Sequence, residues 1–210
     1  ASGTNTLAGQ ADVIAGLIGQ LDLDAPLIVG HSLGGAVALS LALNHPERLG
    51  ALALIAPVTQ PRDAASSAFS AMSISSDSVR RFVSLTFATP LGLLIFDSSA
   101  RSVFAPEPMP EDFGTAGGSL LSIRPTSYFS AGGDMTALGA ALPEMVASYP
   151  SLQIPVDILF GRSDQVLDPA VHGATLRDAV EGATFTEIDG GHMITFTAAD
   201  AVADWILELN

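Results

Sequence analysis

The hexapeptide Gly30-His31-Ser32-Leu33-Gly34-Gly35 constrains this chain more than any other feature. It lies between an apolar run, Leu27-Ile28-Val29, that reads as a strand and an alanine- and leucine-rich stretch that reads as a helix. G-x-S-x-G in a strand–turn–helix context is the nucleophile elbow, a sharp turn that pushes a serine hydroxyl out above a sheet. Side chains at Gly30 and Gly34 are expected to crowd the turn, and Ser32 itself is expected at strained backbone angles. A nucleophilic serine needs a base to take its proton and an acid to orient that base.

The segments around the elbow alternate between helix and strand. Leu7, Ala11, Ile14, Ile18 and Leu21 share one helical face, which predicts an amphipathic helix over about 6–21. After the elbow, Gly34, Gly35, Ala36 and Ala38 are small enough for close packing on a sheet. That helix should stop near Asn44, because the residue before Pro46 disfavours α geometry. Leu49 to Val58 is a continuous apolar run of the kind a buried parallel strand shows. Beyond Pro155 the alternation resumes, with strands at Val156–Phe160 and Thr184–Ile188. Asp168-Pro169 reads as the cap and first residue of one helix. Thr197-x-x-Asp200 resembles a capping box for a final helix burying Val202, Trp205, Ile206 and Leu209. Alternating strands and helices predict an α/β fold, a mostly parallel sheet with helices on both faces. There is no internal repeat.

The stretch from about 61 to 150 differs in texture, with clustered serines (Ser66 to Ser78), a Pro-rich loop at Ala105–Pro110 and most of the aromatics. Helical periodicity is visible over Asp77–Phe87 and Thr126–Ser148. These features predict a helical insertion between two parts of one core, residues 1–60 and 151–210.

Composition removes several classes of function. All eight basic residues are arginine, so a Walker-type phosphate lysine and a Schiff-base lysine are excluded. The net charge of −14 opposes nucleic acid and anionic membrane surfaces and reads as an acidic, solvated exterior. With no cysteine, disulfides, thiol catalysis and cysteine metal sites are excluded, while the compartment stays open. Ala25 to Pro46 carries no full charge over a length that resembles a membrane span. The elbow explains it as strand plus packed helix, so no membrane span is expected. No cofactor is expected, and His172, Asp168 and His192 do not have a metal-ligand spacing.

Two residues downstream supply the partners Ser32 needs. Active-site groups in such sheets gather beyond the carboxyl ends of the strands. Asp164 follows one strand in Gly161-Arg162-Ser163-Asp164, and His192 follows the last in Gly190-Gly191-His192. Asp168 and Asp189 compete with Asp164, but the first has a capping role and the second is too near His192 in sequence. His31 is expected to support or pack the site rather than act as the base, and His45 and His172 to lie on the surface. Arg80 and Arg81 are expected to pair with local carboxylates rather than hold an anionic substrate. The aromatics and methionines of the insertion (Phe69, Met72, Phe82, Phe87, Phe96, Phe104, Tyr128 and Phe129) are expected mainly to pack, with some facing the cleft.

In the order Ser32, Asp164, His192 the chain resembles the α/β-hydrolase superfamily, specifically its capped esterase and lipase-like branch. The resemblance covers Leu7–Gln60 and Leu152–Leu209. It implies Ser32 as nucleophile, Asp164 as acid, His192 as general base and the Leu33 N–H as one oxyanion-hole donor. It also implies that the insertion is the cap shaping an acyl or alcohol pocket. The expected activity is hydrolysis of a small-molecule carboxylic ester with an apolar moiety. Perhydrolase and C–C bond hydrolase chemistry share the triad, and a non-catalytic ligand-binding protein is the alternative on the same scaffold.

One departure from the family stands out: its strands before the elbow, and the second oxyanion donor they carry, have no counterpart here. The sole His-Gly pair, His172-Gly173, falls in a helix. The chain is therefore expected to be a C-terminal portion or one chain of a split enzyme, completed by an N-terminal chain or segment. Alone it is expected to be inactive and poorly soluble, with an unpaired strand edge.

Overall fold

The structure is a computed structural model and describes residues 6–61 and 74–209. Phe69 and Met72 lie outside the described residues. The chain opens with helix α1 (Leu7–Gln20), capped by the Thr6 hydroxyl, which accepts from the Gly9 N–H at 3.0 Å. Leu7, Ala11, Ala15 and Ile18 bury its apolar face. Leu21, expected on that face, falls past the last turn and is exposed. Strand β1 (Leu27–His31), helix α2 (Leu33–Asn44) and strand β2 (Ala51–Ile55) follow. The uncharged stretch from Ala25 to Pro46 is thus divided at Ser32, and α2 is buried from Gly35 to Ala42.

Among the described residues, helices make up most of the span between the second and third strands. Helix α3 (Asp77–Val83) continues through a π-helical turn, Ser84–Ala88, into α4 (Thr89–Phe104). The helix expected to end at Phe87 therefore runs to Phe104. Pro90 does not stop it: it follows directly on the π-helical turn Ser84–Ala88, where the regular i→i−4 ladder is already interrupted. Among the described residues, Asp77–Phe104 is one helix long and apolar enough by length and composition to cross a membrane. Val79, Phe82, Leu85, Phe87, Leu91 and Leu94 are exposed along it. Helix α5 (Pro125–Ser148) returns the chain to the sheet.

Strand β3 (Val156–Gly161), a π-helical turn (Ala170–Ala174), α6 (Thr175–Ala179), β4 (Thr184–Ile188), α7 (Ile194–Thr197) and α8 (Ala199–Glu208) complete the described chain. The capping box expected at Thr197–Asp200 does not form. Thr197 ends α7, its hydroxyl donating to the Met193 carbonyl, and Ala198 precedes α8 without a side-chain cap.

The four strands form one parallel sheet in the order β1-β2-β3-β4, with Gly30 beside Leu54 and Leu54 beside Ile158. Period-2 alternation sends side chains to two faces. Leu52, Leu54, Val156, Ile158 and Phe160 join α1, α2 and the end of α5 in the larger core. Ile55 and Leu159 face the other way, against Ile194 and Val202, with Trp205 and Ile206 packed over them. Burial on both faces explains why β2 and β3 read as unbroken apolar runs. All four strands point their carboxyl ends the same way, and residues following β1, β3 and β4 meet there.

Candidate active site

Ser32 sits between β1 and α2 at φ 53° and ψ −118°, a left-handed conformation unusual for a serine. Three backbone hydrogen bonds hold it there. Its N–H donates to the Ile55 carbonyl at 3.0 Å, and its carbonyl accepts from Val58 N–H at 3.1 Å and Gly35 N–H at 3.0 Å. The elbow is therefore pinned to the end of β2 rather than left as a free loop. A Cβ on Gly30 would lie 2.6 Å from the Gly34 carbonyl oxygen, so that position is crowded as expected. Gly34 is not: nothing lies within 4 Å of a Cβ there. The second crowded glycine is Gly35, whose Cβ would fall 2.5 Å from Cβ of Pro57 where α2 crosses the sheet end.

His192 Nε2 lies 3.0 Å from Ser32 Oγ, and His192 Nδ1 lies 2.8 Å from Asp164 Oδ2. The Asp164 side chain is wholly buried and that of His192 nearly so. The other Asp164 oxygen accepts from the N–H groups of Val166 and Leu167 at 2.8 and 2.9 Å, which fixes the carboxylate against the loop after β3. With Oδ2 accepting from Nδ1–H, Nε2 is left as the acceptor toward the serine hydroxyl. A hydroxyl, an imidazole and a carboxylate aligned in this way can move a proton off the oxygen while the carboxylate stabilises the resulting imidazolium. Leu33, the first residue of α2, offers an N–H beside Ser32 that has no acceptor within the helix.

The competing carboxylates are engaged elsewhere. Asp168 accepts from the Ala170 N–H at 2.8 Å, the capping role read from the sequence. Asp189 is almost fully exposed and paired with Arg162. Arg80 reaches Asp77 at 2.6 Å and lies over the Phe129 ring at 4.7 Å, so it is held by its own surroundings as expected. His45 pairs with Asp12 at 2.7 Å on the surface. Among the described residues no group of three or more His, Asp or Glu is arranged to hold a metal ion.

His172 departs from expectation. It is buried rather than superficial, and its Nδ1 accepts from the N–H groups of Thr59 and Gln60 at 3.1 and 3.3 Å. Thr59 donates its hydroxyl back to the His172 carbonyl at 2.7 Å, and its own carbonyl accepts from the buried Tyr149 hydroxyl at 2.8 Å. Burial pushes the Tyr149 phenol well above its usual range. This network ties the chain beyond β2 to the turn before α6.

Sequence reasoning did not foresee two contacts around His192. His31 Nε2–H donates to the His192 carbonyl oxygen at 3.0 Å, with the two rings 5.1 Å apart between centroids. Burial pulls the His31 pKa below the ordinary histidine value, the accepting carbonyl pushes it back up, and His192 and Asp164 act in opposite directions more weakly. Glu107, from the Pro-rich loop, accepts from the Gly191 N–H at 2.9 Å.

Known proteins resemble this chain in sequence and in fold. The chain is 27% identical over 197 residues to the magnesium-chelatase 30 kDa subunit of Rhodobacter capsulatus, covering 90% of this chain and 64% of that protein. It therefore spans less than two thirds of that relative's length. Over 47 residues, 22% of this chain and 16% of the relative, it is 43% identical to 2-hydroxy-6-oxo-6-phenylhexa-2,4-dienoate hydrolase of Comamonas testosteroni. The enol-lactonase of Burkholderia xenovorans LB400 superposes with a TM-score of 0.73 at 20% identity, over 99% of this chain and 74% of that one. That likeness shows a shared fold. The model of the alpha/beta hydrolase fold family matches residues 3–199. With a parallel sheet between helical layers and a serine elbow at the end of β1, this chain belongs to the alpha/beta hydrolase fold family.

Proposed function

We propose that this chain carries the catalytic groups of a serine hydrolase acting on carboxylic esters with an apolar moiety. The observation that carries the reading is the continuous hydrogen-bonded line from Ser32 Oγ through His192 to Asp164. In the reaction His192 Nε2 takes the Ser32 proton as Oγ attacks the ester carbonyl. The carbonyl oxygen becomes an oxyanion facing the Leu33 N–H. Collapse breaks the bond to the alcohol oxygen, which leaves with the proton from His192, and Ser32 remains acylated. Water then gives a proton to Nε2 and attacks the acyl carbon, and Ser32 recovers its proton as the acid departs. No step calls for a cofactor.

The helices between β2 and β3, within 61–150, serve in this reading as the cap over the pocket. The core is then 1–60 with 151–210. Strand β1 pairs only with β2 among the described residues, and Val29 on it is about half exposed. An unpaired strand edge beside the nucleophile suits docking of an N-terminal chain or segment. Such a segment would supply the second oxyanion donor, a group whose loss costs about 2.7–4 kcal/mol of transition-state stabilisation.

Two relatives carry hydrolase or lactonase names, and an enol-lactone is itself an ester. A sequence relative aligned over most of the chain is instead named as a chelatase subunit. That name favours a second reading, a ligand-binding protein on the same scaffold with slow or no turnover. Hydrolysis of a short-chain chromogenic ester by the complete protein, with its N-terminal chain or segment present, separates the two. Turnover that falls by about 10⁶-fold in kcat in Ser32→Ala is expected for the hydrolase. Saturable binding of the ester without turnover would favour the binder.

A further inference from the structure

The base and the nucleophile come from separate loops, so their 3.0 Å separation depends on what holds the His192 loop in place. That loop, Asp189–Met193, is short of regular structure and contains two glycines, one of them, Gly190, at φ 137°. Its conformational freedom has to be removed by contacts from outside. On one side His31 Nε2–H donates to the His192 carbonyl. On the other, Glu107 accepts from the Gly191 N–H, one residue before the imidazole.

Glu107 belongs to the helical insertion, and the insertion is seated on this loop by packing as well as by hydrogen bonding. A Cβ on Gly191 would meet the Ala105 carbonyl oxygen at 2.4 Å and Glu107 Oε2 at 2.8 Å, so the backbone of the two loops is in direct apposition. Phe104 is fully buried, edge-on to Phe113 at 4.8 Å and to Phe196 at 5.9 Å, and Phe196 lies four residues beyond His192. The aromatic trio sets the height of the 105–107 turn above Gly191, and the carboxylate then fixes the peptide that carries the base. A buried N–H left without an acceptor costs about 1–3 kcal/mol, enough to favour another loop conformation when Glu107 is removed.

From this geometry we propose that Glu107 is a positioning residue, acting through the Gly191 N–H to hold His192 in line with Ser32 and making base alignment depend on the seating of the insertion. The proposal rests on the hydrolase reading above. Glu107 does not touch the reacting atoms, so its contribution is to orientation, where a misplacement of about 1 Å costs on the order of 100-fold in rate.

The test is steady-state hydrolysis of the chromogenic ester by the complete protein, this chain together with the N-terminal chain or segment that completes it, with melting temperature recorded for every variant. Glu107→Ala is expected to lower kcat by about 10- to 100-fold while KM stays within about threefold. Glu107→Gln retains an acceptor oxygen at the same reach and is expected to restore kcat to within about threefold of the parent. Glu107→Leu keeps the bulk against Gly191 without an acceptor, guards against a folding defect in the alanine variant, and is expected to show the same kcat loss. Parent-like kcat in the folded alanine and leucine variants overturns the proposal, as does equal impairment of the glutamine variant. A parent protein completed by its N-terminal chain or segment that shows no turnover at all counts against the hydrolase reading instead, so the two failures are distinct.

Discussion

At the scale of single residues, His31 shows how a site can use a histidine without titrating it. Its ring lies beside His192 and its Nε2–H is committed to a backbone carbonyl, so a positive charge there would oppose the imidazolium that the proposed reaction forms at His192. Burial keeps His31 neutral below the pH at which an unfolded histidine takes up its proton. Because the folded pKa is lowered, the stabilisation is complete above about pH 6.5. It declines as pH falls through that value toward the folded one, since the unfolded state then binds more protons. His31→Gln should therefore flatten the fall of the urea midpoint between pH 7 and 5 relative to the parent. Parallel slopes in the two proteins would remove His31 from the account. The sequence placed His31 as a supporting or packing residue because adjacent side chains in the elbow point away from each other. It could not reveal the partner, which lies 161 positions away.

The elements carry a different lesson, visible in the elbow glycines. The G-x-S-x-G pattern marks both flanking glycines, yet only Gly30 is sterically required, while Gly35 outside the pattern is required by Pro57. Gly30→Ala should cost about 1–3 kcal/mol through overpacking against the Gly34 backbone. Gly34→Ala, in an open position early in α2, should be neutral or stabilising by up to about 1 kcal/mol. Chemical denaturation of the two variants compares them directly, and equal destabilisation would contradict this assignment.

Element types and order were legible wherever periodicity or an apolar run was strong, as in α1, α2, β2 and β3. Legibility failed where tertiary contacts overrode local signals. Thr197 looked like a cap but turns back to Met193. His172 looked superficial because its helical neighbours are unremarkable, and it is buried by Thr59 and Gln60 from across the sheet end. Glu107 left no trace in sequence, because the Pro-rich loop has no period to interpret and its partner is 84 positions away.

Across the whole molecule, a parallel sheet explains why residues 160 positions apart in sequence reach one another. Crossover connections return each strand in the same direction, so the loops after β1, β3 and β4 converge at one end, where a serine, an aspartate and a histidine fall into line. The chain order Ser32, Asp164, His192 was readable because each residue follows an identifiable strand, so three loops defined the candidate site before any contact was seen. The central claim is that this convergence makes Ser32 a nucleophile. The most direct measurement is intact-mass and peptide mapping of the folded complete protein, its N-terminal chain or segment included, after treatment with a fluorophosphonate. The account predicts one adduct per chain at Ser32, absent in Ser32→Ala and strongly slowed in His192→Ala. A folded parent that gains no mass, or an adduct at another residue with Ser32 unmodified, would contradict it.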